Sequence, residues 1–243
     1  MDPKFKPVMA GQATRSRGQV FDGTVTPQAT QNTVLRNTYW LLALTMLPTV
    51  AGAFVGSQLN LYAQFAAHPI AMPLLLLAAM MGMLFVVTAL RNSAWGVVAL
   101  FAFTFVAGLS ITPILTVAAG MRNGWQLVGL AGAMTAAIFF TMAFVATVSK
   151  RDFSSMGKFL MVGTVVLLIA MVANLFFQMP ALSVALSAIC VMLFSAWLLH
   201  DLSRLVRGGE TNYIMATMNL YLDLFNIFVS LLNLLLAFTG SRD

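Results

Sequence analysis

The side chains best placed to do chemistry are acids inside apolar runs. Asp223 lies in the middle of NLYLDLFNIFVSLLN, residues 219–233. Asn219, Asp223, Asn226, Ser230 and Asn233 follow one another at intervals of four, three, four and three. That spacing puts all five on one face of a helix, opposite Leu, Ile, Phe and Val. Asn212 extends the stripe back by seven residues. In lipid such a face must look into a helix bundle or a wet cavity. The asparagines alone could be interhelical glue. Asp223 asks for more, because a carboxylate deep in a membrane helix costs at least ~2.5 kcal/mol. It lies 11 residues past Asn212, roughly 16 Å along the helix axis, so the spacing places it near mid-membrane.

Other acids are scarce: Asp2, Asp22, Asp152, Asp201, Glu210 and Asp243 complete the set. Asp201 is the one that joins the end of an apolar run, and it is spaced for a local pair with Arg204. Asp223 needs a partner or a proton, and for Asp201 alone the local salt bridge with Arg204 is the plain reading. No resident cofactor is expected.

Enzyme chemistry finds little support. There is no HExxH for zinc and no GxxxxGK[ST] loop for a nucleotide. Leu220-Tyr221-Leu222 precedes Asp223 where an intramembrane aspartyl protease would carry a glycine turn. Ser110 has no histidine on a neighbouring apolar run. His68 and His200 are expected at the interfaces, Cys190 as a small core residue, and the 17 methionines as packing.

These residues must be positioned by a membrane fold. The chain has 243 residues, 60% hydrophobic and 8% charged, too little polar surface for a soluble domain of this size. Net charge is +6, but the basic residues are scattered between apolar blocks, so nucleic acid is not a partner. Seven runs are long and apolar enough to span a bilayer: 37–57, 70–90, 95–118, 125–148, 159–178, 181–200 and 212–238. Pro48 and Pro113 fall inside the first and third and are expected to kink them. Residues 1–33 are polar and expected to form a disordered cytoplasmic tail, or a docking segment for a partner; residues 34–243 form the transmembrane domain.

Lysine and arginine set the orientation. Lys4, Lys6, Arg15, Arg17, Arg36, Arg91, Lys150, Arg151, Lys158, Arg204 and Arg207 fall on one side of a seven-span chain, Arg122 and Arg242 on the other. The expected topology has a cytoplasmic N-terminus and an outside C-terminus.

Several separate segments also carry a family resemblance. GGETNYIMATMNLYLDLFNIFVSLLNLL (208–235) and FAFTFVAGLSITPIL (101–115) resemble the last-helix and third-helix motifs of the transmembrane Bax inhibitor motif family. VLRNTYWLLALTM (34–46) and residues 149–182 resemble its bacterial YccA subgroup. The resemblance implies an all-α bundle of seven membrane helices, the seventh central and wrapped by the other six. It implies a carboxylate pair between the sixth and seventh spans, Asp201 and Asp223, associated with a pH-sensitive calcium leak; two such carboxylates in a low dielectric would share a proton, and with the amides of Asn219 or Asn226 they would offer calcium a few oxygen ligands, too few for tight binding and suited to transient passage. It also implies an arginine at the end of the second span that joins the pair in closed forms, for which Arg91 is the nearest match. For the subgroup it implies a bacterial inner-membrane location and an FtsH-type membrane protease as the partner that the protein binds and restrains, in addition to the lipid bilayer.

Overall fold

The computed structural model describes residues 27–149 and 151–240. Eight α-helices follow in order: α1 (Pro27–Gln58), α2 (Leu61–Ala67), α3 (Ala71–Leu90), α4 (Trp95–Gly120), α5 (Gly124–Val148), α6 (Gly157–Phe177), α7 (Pro180–Val206) and α8 (Tyr213–Gly240). All but α2 are long and apolar enough to cross a membrane, so the seven expected spans are α1 and α3 to α8. α1 and α4, which carry Pro48 and Pro113 in their interiors, run on through them.

α8 is the axis of the bundle. It packs against α1, α4, α5 and α7. The expectation that all six other spans wrap it is corrected here, because α3 packs mainly on α4, and α6 on α7. Burial sets α3 apart most clearly: 6% of its apolar window is inside the bundle, against 44% for α8. The two outer helices present Leu, Val, Ile and Phe to lipid, which solvates apolar side chains as well as a core does. The core is built from Leu100, Phe103, Leu198, Leu220, Tyr221 and Ile227, all essentially inaccessible.

Helix contact in lipid relies on close packing and small residues. α1 and α4 meet through such a seam. A Cβ added to Gly108 would lie 2.1 Å from the carbonyl oxygen of Thr49, and one added to Gly52 equally close to that of Phe105. Polar ties finish the job: the Tyr221 and Thr49 hydroxyls are 2.8 Å apart, joining α8 to α1. Asn233 donates to Ser187 Oγ at 2.8 Å, joining α8 to α7.

Two helix ends differ from the sequence expectation. α1 begins at Pro27, inside the stretch assigned to the tail; residues 1–26 of that tail lie outside the described residues. Proline suits a first helical turn, Gln31 donates to the carbonyl of Val206, and Val34 is buried, so the extra turns are held by packing. α7 runs to Val206 rather than stopping at 200. Gly208, at φ +74°, closes it: the Gly208 and Gly209 amides donate back to the carbonyls of Leu205 and Arg204, the paired bonds of a Schellman cap.

Candidate functional site

The polar stripe of α8 faces inward. Asn212 caps the helix, its Oδ1 accepting the amides of Ile214 and Met215 at 3.0 and 3.1 Å. Its Nδ2 donates to the Arg91 carbonyl at 2.8 Å and to Asn92 Oδ1 at 3.0 Å, which pins the start of α8 to the end of α3. Asn233 bonds α7, as described above. Asn226 instead donates to the carbonyl of Leu222 on its own helix at 2.8 Å, and its amide nitrogen makes no bond to a neighbouring helix among the described residues.

Asp223 is 4% exposed, within the bundle. Its Oδ2 has no hydrogen-bond partner among the described residues. Buried polar atoms are nearly always paired, and Ser203 Oγ on α7 is the other unpaired one among the described residues. Asp201 is the acid close enough for its charge to act on Asp223.

The two carboxyls are not hydrogen-bonded to each other. Asp201 Oδ1 is 2.7 Å from His200 Nδ1. The expected partner, Arg204, turns instead to Glu210, with Nη2 at 3.4 Å from Oε2. The cause is the glycine cap: Gly208 and Gly209 fold the chain back over the last turn of α7, bringing Glu210 to Arg204. Glu210 Oε1 also accepts the amides of Thr211 and Asn212 at 3.1 and 3.0 Å. Asp201, Arg204, Leu205, Glu210, Asn219 and Leu220 line a narrow cleft of about 10 Å3, room for about one water. Asp223 lies one helical turn past Asn219, beyond that cleft. Because α7 continues to Val206, Asp201 sits inside a helix and not at its frayed end, which brings it level with Asn219.

Arg91 does not join the carboxylates. It caps α3 in an exposed position, tied through its backbone carbonyl to Asn212, and its guanidinium forms no ion pair among the described residues. The cation in the cleft is Arg204. His200, expected at the interface, is 5% exposed. Its Nε2 faces the Ser154 carbonyl at 3.2 Å, and its ring stands edge-on to Trp197 at 5.2 Å. Sequence reasoning missed Glu210 as a site residue, although the Gly208-Gly209 pair was the signal for a chain reversal there.

Outside the spans, Asp152 accepts the Ser154 amide at 2.9 Å. That bond, then the Ser154 hydroxyl, holds its carboxyl below the usual carboxylate range, with Arg207 and His200 adding to the effect. Among the described residues no group of three or more His, Cys, Asp and Glu converges as a metal site. Asp201 and Asp223 with Asn219 fall short of the six to eight oxygens of a resident calcium site.

A family profile described as "Inhibitor of apoptosis-promoting Bax1" matches residues 31–240. The chain belongs to the Bax inhibitor family. Within that family it is 40% identical over 204 residues to the Escherichia coli K12 protein named modulator of FtsH protease YccA, covering 83% of this chain and 89% of that one. A second E. coli strain carries a relative of the same identity and coverage, named inner membrane protein YccA. A Neisseria meningitidis relative is 40% identical over 212 residues, covering 86% of this chain and 93% of its own. With its seven apolar helices, this Bax inhibitor family member is a multi-pass protein of the bacterial inner membrane.

Proposed function

We propose that the chain is a non-enzymatic membrane protein that binds and restrains an FtsH-type AAA+ protease. The observation that carries this reading is the near full-length similarity to the relative named modulator of FtsH protease. A bundle cross-tied at one end by Gln31, Arg207 and Asn212 is a form that resists extraction, which suits a restraining partner. The test reconstitutes the chain with an FtsH-type protease in liposomes and follows turnover of a membrane substrate. Slower turnover and co-purification are expected. Unchanged turnover with no co-purification rejects the proposal.

A second reading rests on a different observation, the buried Asp223 with its unpaired Oδ2. A carboxyl in that setting is tolerated when a proton or a cation sits with it. In this reading the chain leaks calcium, and Asp223, with Asp201 one cleft away, exchanges a proton for the passing ion. Calcium flux into proteoliposomes should then depend on pH in the wild type and lose that dependence in Asp223→Asn, with Asp201→Asn shifting it. A flux profile that Asp223→Asn leaves intact rejects the switch.

A further inference from the structure

A larger cavity lies away from the carboxyls, on the flank of the bundle. α1 and α5 each pack along α8, and they meet through the edge-to-face contact of Tyr39 with Phe139, 6.3 Å between ring centres. Beside that contact is a groove of about 500 Å3, lined by Tyr39, Leu42 and Met46 of α1, Phe139 and Ala143 of α5, and Leu224 of α8. All of these residues lie within membrane-spanning stretches. Apart from the Tyr39 hydroxyl the lining is apolar.

Three features identify the occupant. A gap in a hydrocarbon-facing surface forfeits dispersion contact unless something fills it. From Tyr39 to Met46 the groove runs seven residues of α1, about 10 Å of helix. That is a third of the ~30 Å hydrocarbon thickness a docked spanning helix would follow, and it suits the upper part of an acyl chain. The two ends also differ in polarity. One turn before Tyr39, on the same side of α1, Arg36 is exposed and forms no ion pair among the described residues. The Tyr39 hydroxyl makes no hydrogen bond among them either. A cation and a phenol at one end of an apolar slot complement a phosphate carrying a hydrocarbon tail.

We infer that the α1/α5 groove binds one phospholipid, its phosphate at Arg36 and Tyr39 and an acyl chain against Leu42, Ala143 and Leu224, with preference for an anionic headgroup. The floor residue Leu224 is the neighbour of Asp223, so the bound chain would seal the central helix from the side.

The full chain, purified in detergent, is titrated with dioleoyl phosphatidylglycerol or dioleoyl phosphatidylcholine and read by native mass spectrometry. One retained lipid is expected, phosphatidylglycerol over phosphatidylcholine. Arg36→Gln should cut that preference roughly fivefold. Ala143→Trp, which fills the slot, should abolish retention of both lipids; Ala43→Trp fills it from α1 and is scored if the first variant does not fold. A filled variant that retains lipid like the wild type overturns the site. An unchanged lipid preference in Arg36→Gln overturns the headgroup assignment, and a co-purifying protein lost from the filled variants in place of lipid overturns the occupant.

Discussion

His200 is gripped from two sides by oxygen atoms. The Ser154 carbonyl can only accept, so Nε2 carries a hydrogen. Nδ1 meets the Asp201 carboxyl at 2.7 Å. The ring thus ties the turn before α6 to α7 beside the cleft. His200→Ala should cost about 1–3 kcal/mol, since it leaves a part-buried carboxyl without this partner, and should expose the 154–157 amides to exchange; thermal unfolding and hydrogen exchange check both. Asp152 serves as a pH reference beside it. Its lowered carboxyl keeps its charge, and its turn, above the ordinary carboxylate value of about 3.9, losing them as pH falls through its own lower value. The Ser154 amide should therefore stay protected from pH 8 down to about 4, so a change in this region within that range arises elsewhere. The α8 stripe was legible from sequence because a 3.5-residue interval admits one face. Partners were less so: Arg204 looked like a local mate for Asp201, and the choice of Glu210 depends on where the chain reverses.

Helices were read well in their middles and poorly at their ends. A run of some 20 apolar residues marks a span, but hydropathy falls at the first charge and a helix does not. α7 carries His200, Asp201 and Arg204 because capping by Gly208 and Gly209 decides its end. α2 escaped notice because seven residues lack a hydropathy signature of their own. The α1/α4 seam is set by residues too small to draw attention in a hydropathy reading. Gly108→Ala would place a methyl carbon 2.1 Å from the Thr49 carbonyl oxygen, and backbone cannot turn aside as a side chain can. It should cost about 1–3 kcal/mol or more. Gly82, whose added Cβ meets nothing within 4 Å, is the control: Gly82→Ala should be neutral or stabilise by up to about 1 kcal/mol. Thermal unfolding of the two variants in detergent separates packing from helix propensity.

On the scale of the molecule, the charged turns assemble at one end. Arg207 donates to the carbonyls of Ser149 and Arg151 at 3.0 and 2.6 Å, Asn212 reaches the Arg91 carbonyl and Asn92, and Gln31 reaches Val206. These ties gather the start of α1 and the α3–α4, α5–α6 and α7–α8 turns, which between them hold nearly all the cations of the described residues. Arg122 stands at the opposite end, between α4 and α5. Positive charge resists translocation, so the crowded end should be cytoplasmic. Cys190 makes the check clean: as the single cysteine and 1% exposed, it gives little background to a membrane-impermeant thiol reagent. Ser93→Cys and Ser155→Cys, both exposed turn positions, should label in inside-out vesicles and not in intact cells stripped of their outer membrane. Ser57→Cys and Asn123→Cys, exposed at the other end, should do the reverse. The opposite pattern would place the His200 and Asp201 cleft outside the cell, away from a cytoplasmic AAA+ protease, and the restraining role would lose its geometry along with its orientation.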